Sequence, residues 1–156
     1  AKKIFLPQVM LSAEAMREAF IKIKERIPAD SVSNKGTIVI ATVKGDIHDL
    51  GKNIVSALLE NNGFKVIDLG KDIDKEEIIK AAIDNKADMI GLCSLMTTTI
   101  TQIDEVIAEL NKSEYSTKVM IGGAVVTQEY ADNVGADAYA PDGVEAVEIA
   151  KKLINK

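Results

Sequence analysis

From Thr37 onward, short apolar runs alternate with segments whose apolar residues recur every three or four positions. The runs are Thr37–Val43, Lys65–Leu69, Asp88–Leu92, Lys118–Ile121 and Ala136–Ala140. Val and Ile dominate most of them and none alternates strictly with polar residues, as expected of strands buried on both faces. The intervening segments Leu50–Asn62, Asp74–Asn85, Thr99–Asn111, Thr127–Asn133 and Gly143–Ile154 read as helices. Asn62-Gly63 is a common helix ending, and Asp74 with Glu77 has the spacing of a capping-box variant. Five strands alternating with helices predict an α/β fold, a doubly wound five-stranded parallel sheet of the Rossmann or flavodoxin-like kind with strand order 2-1-3-4-5.

The first residues follow a different pattern. Val9, Met10, Ala13, Met16, Phe20 and Ile23 or Ile27 recur at helical spacing, and Pro7 suits a first helical turn. One amphipathic helix cannot bury its apolar face alone. Residues 1–27 are therefore expected to be the last helix of a truncated capping bundle, and the opening Ala-Lys-Lys-Ile-Phe-Leu-Pro reads as cut from a longer protein. Residues 28–36, rich in Pro, Ser, Asn and Gly without periodicity, are the expected linker, and residues 37–156 the α/β domain.

Composition narrows the partners. A chain of 156 residues with 47% hydrophobic and 28% charged residues can fill one core and keep its surface in water. A net charge of −5 disfavours nucleic acid. No apolar run approaches the roughly 20 residues that span a bilayer, so no membrane partner is expected. A single cysteine cannot form an internal disulfide, which points to the reducing cytoplasm. With no tryptophan and 4% aromatics, a flat apolar ligand is expected to be held by aliphatic side chains and backbone.

A sheet of this kind takes ligands outside the carboxyl ends of its strands, beside the first strand, where the order reverses. Three loops converge there: Lys44–Gly51, Cys93–Thr99 and Gly122-Gly123-Ala124. The first holds the only histidine, His48, two residues after Asp46 and three before Gly51. An imidazole binds a metal through an unprotonated nitrogen while its other N–H needs an acceptor, which Asp46 can supply. Gly51 lets the helix start approach a bulky ligand closely. The competing reading is a solvated loop histidine between helix-capping aspartates. In the second loop, Thr97 and Thr99 can offer hydroxyls to a ligand or to Asp46, or can cap the next helix. Cys93 has no evident base and reads as a buried, inert thiol. The Gly-Gly-Ala loop allows close backbone approach.

The spacing of these motifs is more specific than any one of them. Residues 52–92, 41 in number, separate Gly51 from Cys93, and residues 96–121, 26 in number, separate Leu95 from Gly122. The sequence resembles the cobalamin-binding domains of methionine synthase and of the corrinoid proteins of methanogens and acetogens, whose pattern is D-x-H-x-x-G, S-x-L and G-G at these intervals. The likeness covers Thr42 to Val55 as a continuous block, extends to Phe-Leu-Pro-Gln-Val-Met near the start and Gly-Ala-Asp-Ala-Tyr-Ala-Pro-Asp near the end, and so spans nearly the whole chain.

The resemblance implies a cobalamin, methylcobalamin or a related corrinoid, whose cobalt takes His48 as lower axial ligand in place of the cofactor's own base. It implies that Asp46 hydrogen-bonds His48 and that Thr99 completes the relay. The displaced nucleotide tail would lie along Asp49, Gly51, Cys93, Ser94, Leu95, Thr97, Gly122, Gly123 and Ala124, with Leu6 over the upper face of the corrin. Cys93 stands where the family pattern has serine, and a thiol is the weaker hydrogen-bond partner. The implied role is methyl carriage on cobalt between methyltransferase subunits or domains. A domain of methionine synthase, a cobalamin-dependent mutase and a cobalamin sensor are the alternatives, and a homodimer is one way to cover the upper face. A phospho-acceptor receiver of like topology would need an aspartate where Cys93-Ser94 stands.

Overall fold

The computed structural model describes residues 8, 11, 12, 15 and 35–154. Gln8, Leu11, Ser12 and Ala15 of the expected leader are helical; its other residues, Leu6 among them, and the linker up to residue 34 lie outside the described residues. Five strands, β1 (Thr37–Thr42), β2 (Lys65–Asp68), β3 (Met89–Cys93), β4 (Lys118–Gly122) and β5 (Ala138–Ala140), form one parallel sheet in the order β2-β1-β3-β4-β5. The helices are α1 (Leu50–Asn61), α2 (Lys75–Asp84), α3 (Thr101–Lys112), α4 (Gln128–Val134) and α5 (Gly143–Leu153). Each element expected from Thr37 onward is present, with ends that differ by up to two residues. No helix among the described residues is long and apolar enough to cross a membrane.

Burial on both faces holds for β1 and for most of β3 and β4, but not for β2, which is an edge strand with exposed ends. On one face Val39, Ala41, Ile90, Leu92, Val119 and Ile121 pack against Ile78 and Ala82 of α2 and Ile103, Val106 and Leu110 of α3. On the other, Ile38, Met89 and Met120 pack against Leu59 of α1 and Ala146, Val147 and Ala150 of α5. Removing a large side chain from such a core costs about 2–5 kcal/mol.

Local chemistry explains the helix ends. Gly63 at φ +92 closes α1: its N–H donates to the Glu60 carbonyl at 3.0 Å and the Phe64 N–H to the Leu59 carbonyl at 3.2 Å. Thr127 caps α4 and Asp142 caps α5 through side-chain oxygens. The expected capping box at α2 does not form. Asp74 is the N-cap residue but makes no side-chain cap bond, because its carboxylate accepts from the Lys44 ammonium at 3.2 Å. The threonines do not cap α3 either; Ile100 stands at that position.

Candidate functional site

The second-face rows of the sheet decide where a ligand fits. Register places Ile40, Gly91, Met120 and Ala138 side by side, and one step toward the carboxyl ends Thr42, Cys93, Gly122 and Ala140. Small residues at Gly91, Gly122 and Ala140 leave the sheet low beneath the first turns of α1 and α5. The result is a cleft of about 470 Å³, floored by Ile40, Gly91, Cys93, Met120, Gly122 and Ala140 and walled by Gly51, Ile54 and Val55 of α1 and Gly143 and Ala146 of α5. Leu95, Gly123, Ala124 and Tyr139 also line it.

Two glycines show opposite reasons for having no side chain. A Cβ on Gly123, at φ +129, would lie 1.9 Å from the Ser94 carbonyl oxygen, so the protein itself requires glycine there. A Cβ on Gly51 would meet no protein atom within 4 Å. Among the described residues nothing demands a glycine at the start of α1, where Gly51 borders the open space of the cleft.

Beside the cleft mouth the first two loops build a buried carboxylate under an exposed imidazole. The side chain of Asp46 is 0% exposed and that of His48 is 48% exposed. Oδ1 of Asp46 lies 2.8 Å from Nδ1 of His48 and accepts from the His48 backbone N–H at 3.0 Å. Its Oδ2 accepts from the Leu95 N–H at 2.7 Å and the Thr99 hydroxyl at 3.1 Å. Ser94 Oγ stands 2.9 Å from Thr99 Oγ1 and 3.4 Å from Oδ2. Burial pushes the Asp46 carboxyl up, but the His48 and Leu95 N–H groups, the imidazole and the Thr99 hydroxyl together pull it down to about 2. The carboxylate is thus permanently ionised at neutral pH. With Nδ1 engaged by it, Nε2 is the ring nitrogen left for a ligand. The Thr42 hydroxyl holds the loop by donating to the His48 carbonyl at 3.1 Å.

The structure thus brings Asp46, His48, Ser94, Leu95 and Thr99 together, and puts Gly51, Cys93, Leu95, Gly122, Gly123 and Ala124 on the cleft. Ser94 is buried beside Asp46 and is not among the residues that line the cleft. Asp49 is half-buried at the N-cap of α1 without a side-chain cap bond, and Thr97 is exposed; neither lines the cleft. The reading of two capping aspartates fails, since Asp46 binds His48, Leu95 and Thr99 instead.

Cys93 is an inert thiol. Burial, helped by the Asp46 charge, pushes it up to about 11. At pH 8 its thiolate is scarcer than that of an exposed cysteine by about 100-fold, and alkylation of the ligand-free protein by iodoacetamide is expected to slow by that factor. Reaction at the rate of free cysteine would contradict the buried floor position.

Three contributors went unread in the sequence. Lys52 is buried to 1% side-chain exposure, and its ammonium lies 2.5 Å from Asp68 Oδ1 and 2.7 Å from Asn53 Oδ1. Ser56, one turn on, donates to Asp68 Oδ2 at 3.0 Å. This pair ties the first turn of α1, and with it Gly51, to the end of β2. Its signal was a polar i, i+4 pair, Lys52 and Ser56, on the face that also buries Leu59. Gly91 and the wall Tyr139–Gly143 carry no such signal, because only the strand register turns them toward the cleft.

These residues fit a corrinoid. Among the described residues no group of three or more His, Cys, Asp or Glu side chains could hold a bare ion. A single imidazole suffices for a metal whose other ligands come from a macrocycle, and the apolar cleft beside it can take an appended tail.

Comparison with known proteins agrees. The B12 binding domain family matches residues 36–150. Dimethylamine corrinoid protein 3 of Methanosarcina mazei is 49% identical over 156 residues, covering 97% of this chain and 93% of that protein. The monomethylamine corrinoid protein of Methanosarcina barkeri has a TM-score of 0.71 at 34% identity, covering 97% of this chain and 73% of that one. The structure of the methanol:cobalamin methyltransferase complex from Methanosarcina barkeri gives a TM-score of 0.84 at 39% identity; 97% of this chain is covered, but it spans only 58% of the chain it matches. With its parallel sheet, its buried aspartate under a histidine and its glycine-floored cleft, this chain belongs to the B12-binding domain family.

Proposed function

We propose that this chain is a corrinoid methyl carrier, loaded by one methyltransferase and discharged by another. The observation that carries the reading is the Asp46–His48 pair, a buried carboxylate that fixes the imidazole tautomer and would leave Nε2 of the half-exposed ring free to bind cobalt. The bound corrinoid supplies a cobalt that alternately accepts and releases a methyl group. The rest is done by the chain. Asp46 holds the Nδ1 proton, and Thr99 and Ser94 hold Asp46. His48 would hold the cobalt through Nε2, and the ionised Asp46 would offset positive charge on its ring. The cleft would receive the nucleotide tail.

Methylated amines are the proposed source of the methyl group, supported by the names of the relatives at 49% and 34% identity. The test is transfer. Protein loaded with methylcobalamin is mixed with an acceptor thiol and its methyltransferase, and separately, in the reduced state, with methylamine and methanol methyltransferases. Stoichiometric demethylation and remethylation from an amine support the carrier. Tight binding with no transfer in either direction would instead make this a sensor module.

Gly51 separates ligand space from folding. Gly51→Ala is expected to leave the melting temperature of the ligand-free protein equal or higher, since alanine favours helix over glycine by up to about 1 kcal/mol. The same change should weaken corrinoid binding measured by absorbance titration. Unchanged affinity would move the tail away from α1.

A further inference from the structure

The loop after β2 contributes no atom to the Asp46–His48 pair, yet it grips the main chain on both sides of Asp46. Asp72 Oδ1 accepts from the Gly45 N–H at 2.8 Å, and the Asp72 N–H donates to the Asp46 carbonyl at 3.1 Å. Next along, the Ile73 N–H donates to the Thr42 carbonyl at 3.2 Å, and Val43 and Ile73 form a single parallel bridge. Lys44 closes the cluster, its ammonium 3.5 Å from Asp72 and 3.2 Å from Asp74. Asp72 adopts φ +57, a conformation uncommon outside glycine and kept where the surroundings over-determine it. Its side chain is 48% exposed, so it does not serve the core.

We propose that Asp72 is a positioning residue for the metal-ligating histidine: by clamping Gly45 and the Asp46 carbonyl, it sets the height at which the carboxylate presents His48. The proposal rests on the corrinoid reading above. It follows from the chain's own order. Asp46 can orient the imidazole only if its backbone is fixed, and Gly45, at φ +79, is otherwise the freest link in the loop. The side chain of Asp46 is anchored from the β3 loop; its main chain is anchored from the β2 loop, through Asp72.

Two substitutions separate the carboxylate from the backbone. Asp72→Gly removes the side-chain acceptor and relaxes the positive φ. Asp72→Asn tolerates that φ and keeps an oxygen for the Gly45 N–H. Each protein is loaded with Co(II) cobalamin, and the ratio of histidine-ligated to unligated cobalt is read from the nitrogen splitting in the electron paramagnetic resonance spectrum. The ligand-free proteins are melted alongside. Asp72→Gly is expected to lower the ratio about tenfold, the effect of one lost charge-assisted hydrogen bond, while melting within about 3 °C of the wild type. Asp72→Asn is expected to restore most of the ratio. An unchanged ratio in Asp72→Gly, an equal fall in Asp72→Asn, or a fall seen only with collapse of the melting temperature would each overturn the proposal. Nitrogen-15 histidine labelling of the wild type is the control: splitting unchanged by the label refutes the ligand assignment itself, whereas splitting that responds to the label but stays intact in Asp72→Gly refutes only the role of Asp72.

Discussion

His48→Ala is expected to leave a folded protein whose bound Co(II) corrinoid shows no splitting from a protein nitrogen. The fold survives because the ring is half-exposed and gives up only its bond to Asp46, a loss of about 1 kcal/mol. The Asp46 carboxylate keeps Leu95, Thr99 and the residue-48 backbone N–H as donors. Corrinoid affinity should drop by more than the roughly 10–100-fold seen when a supporting residue of a metal ligand is removed, because here the ligand itself goes. Nitrogen-15 histidine labelling identifies the ligand independently: splitting from His48 changes from triplet to doublet in labelled wild type, whereas splitting from the cofactor's own base does not change. An unchanged triplet in labelled protein would mean that the cofactor keeps its base and that the Asp46–His48 pair does something else.

Asp46→Asn is expected to have the largest effect on stability of any single-atom-scale change at the site. The amide offers one acceptor oxygen where the carboxylate serves the His48 N–H and ring on one oxygen and the Leu95 N–H and Thr99 hydroxyl on the other. Loss of these charge-assisted bonds inside a buried pocket costs about 3 kcal/mol at neutral pH. Part of that loss depends on pH. Folding lowers the carboxyl from an ordinary 3.8 to about 2, so folding favours the ionised form. The linked stabilisation, about 2 kcal/mol, is complete above the unfolded value and fades as pH falls through the folded one. Denaturant titrations should therefore show wild type and Asp46→Asn far apart at pH 6 and converging toward pH 2. A gap independent of pH across that window would show that the carboxylate is not held by the donors described.

Some of this was legible in the residues themselves. Apolar runs at Thr37–Val43 and Asp88–Leu92, set between helical patterns, were enough for the parallel sheet, because a βαβ chain has few ways to bury strands on both faces; the strand order came by analogy with the commoner small folds of this kind. The Asp46–His48 pair was legible for a local reason: residues two apart on one turn meet whatever else the chain does. Thr99, 53 positions from Asp46, was read as one of two hydroxyls that could reach it, and only the resemblance chose it over Thr97.

Other features had no local signature. Asp74 has good capping chemistry, but Lys44, 30 positions away, takes its carboxylate. Lys52 is buried only because β2 brings Asp68 to its ammonium. Gly91 and Ala140 are unremarkable small residues in sequence, and Asp72 an ordinary loop aspartate. By itself the sequence determined the order of elements, the loops at which a ligand is met and the histidine with its partner, because periodicity and short-range spacing are properties of neighbours along the chain. Only the tertiary structure decided which small residues hollow the cleft, which charges are buried and which distant carboxylate grips the histidine loop, because register and strand order bring together groups that no local pattern relates.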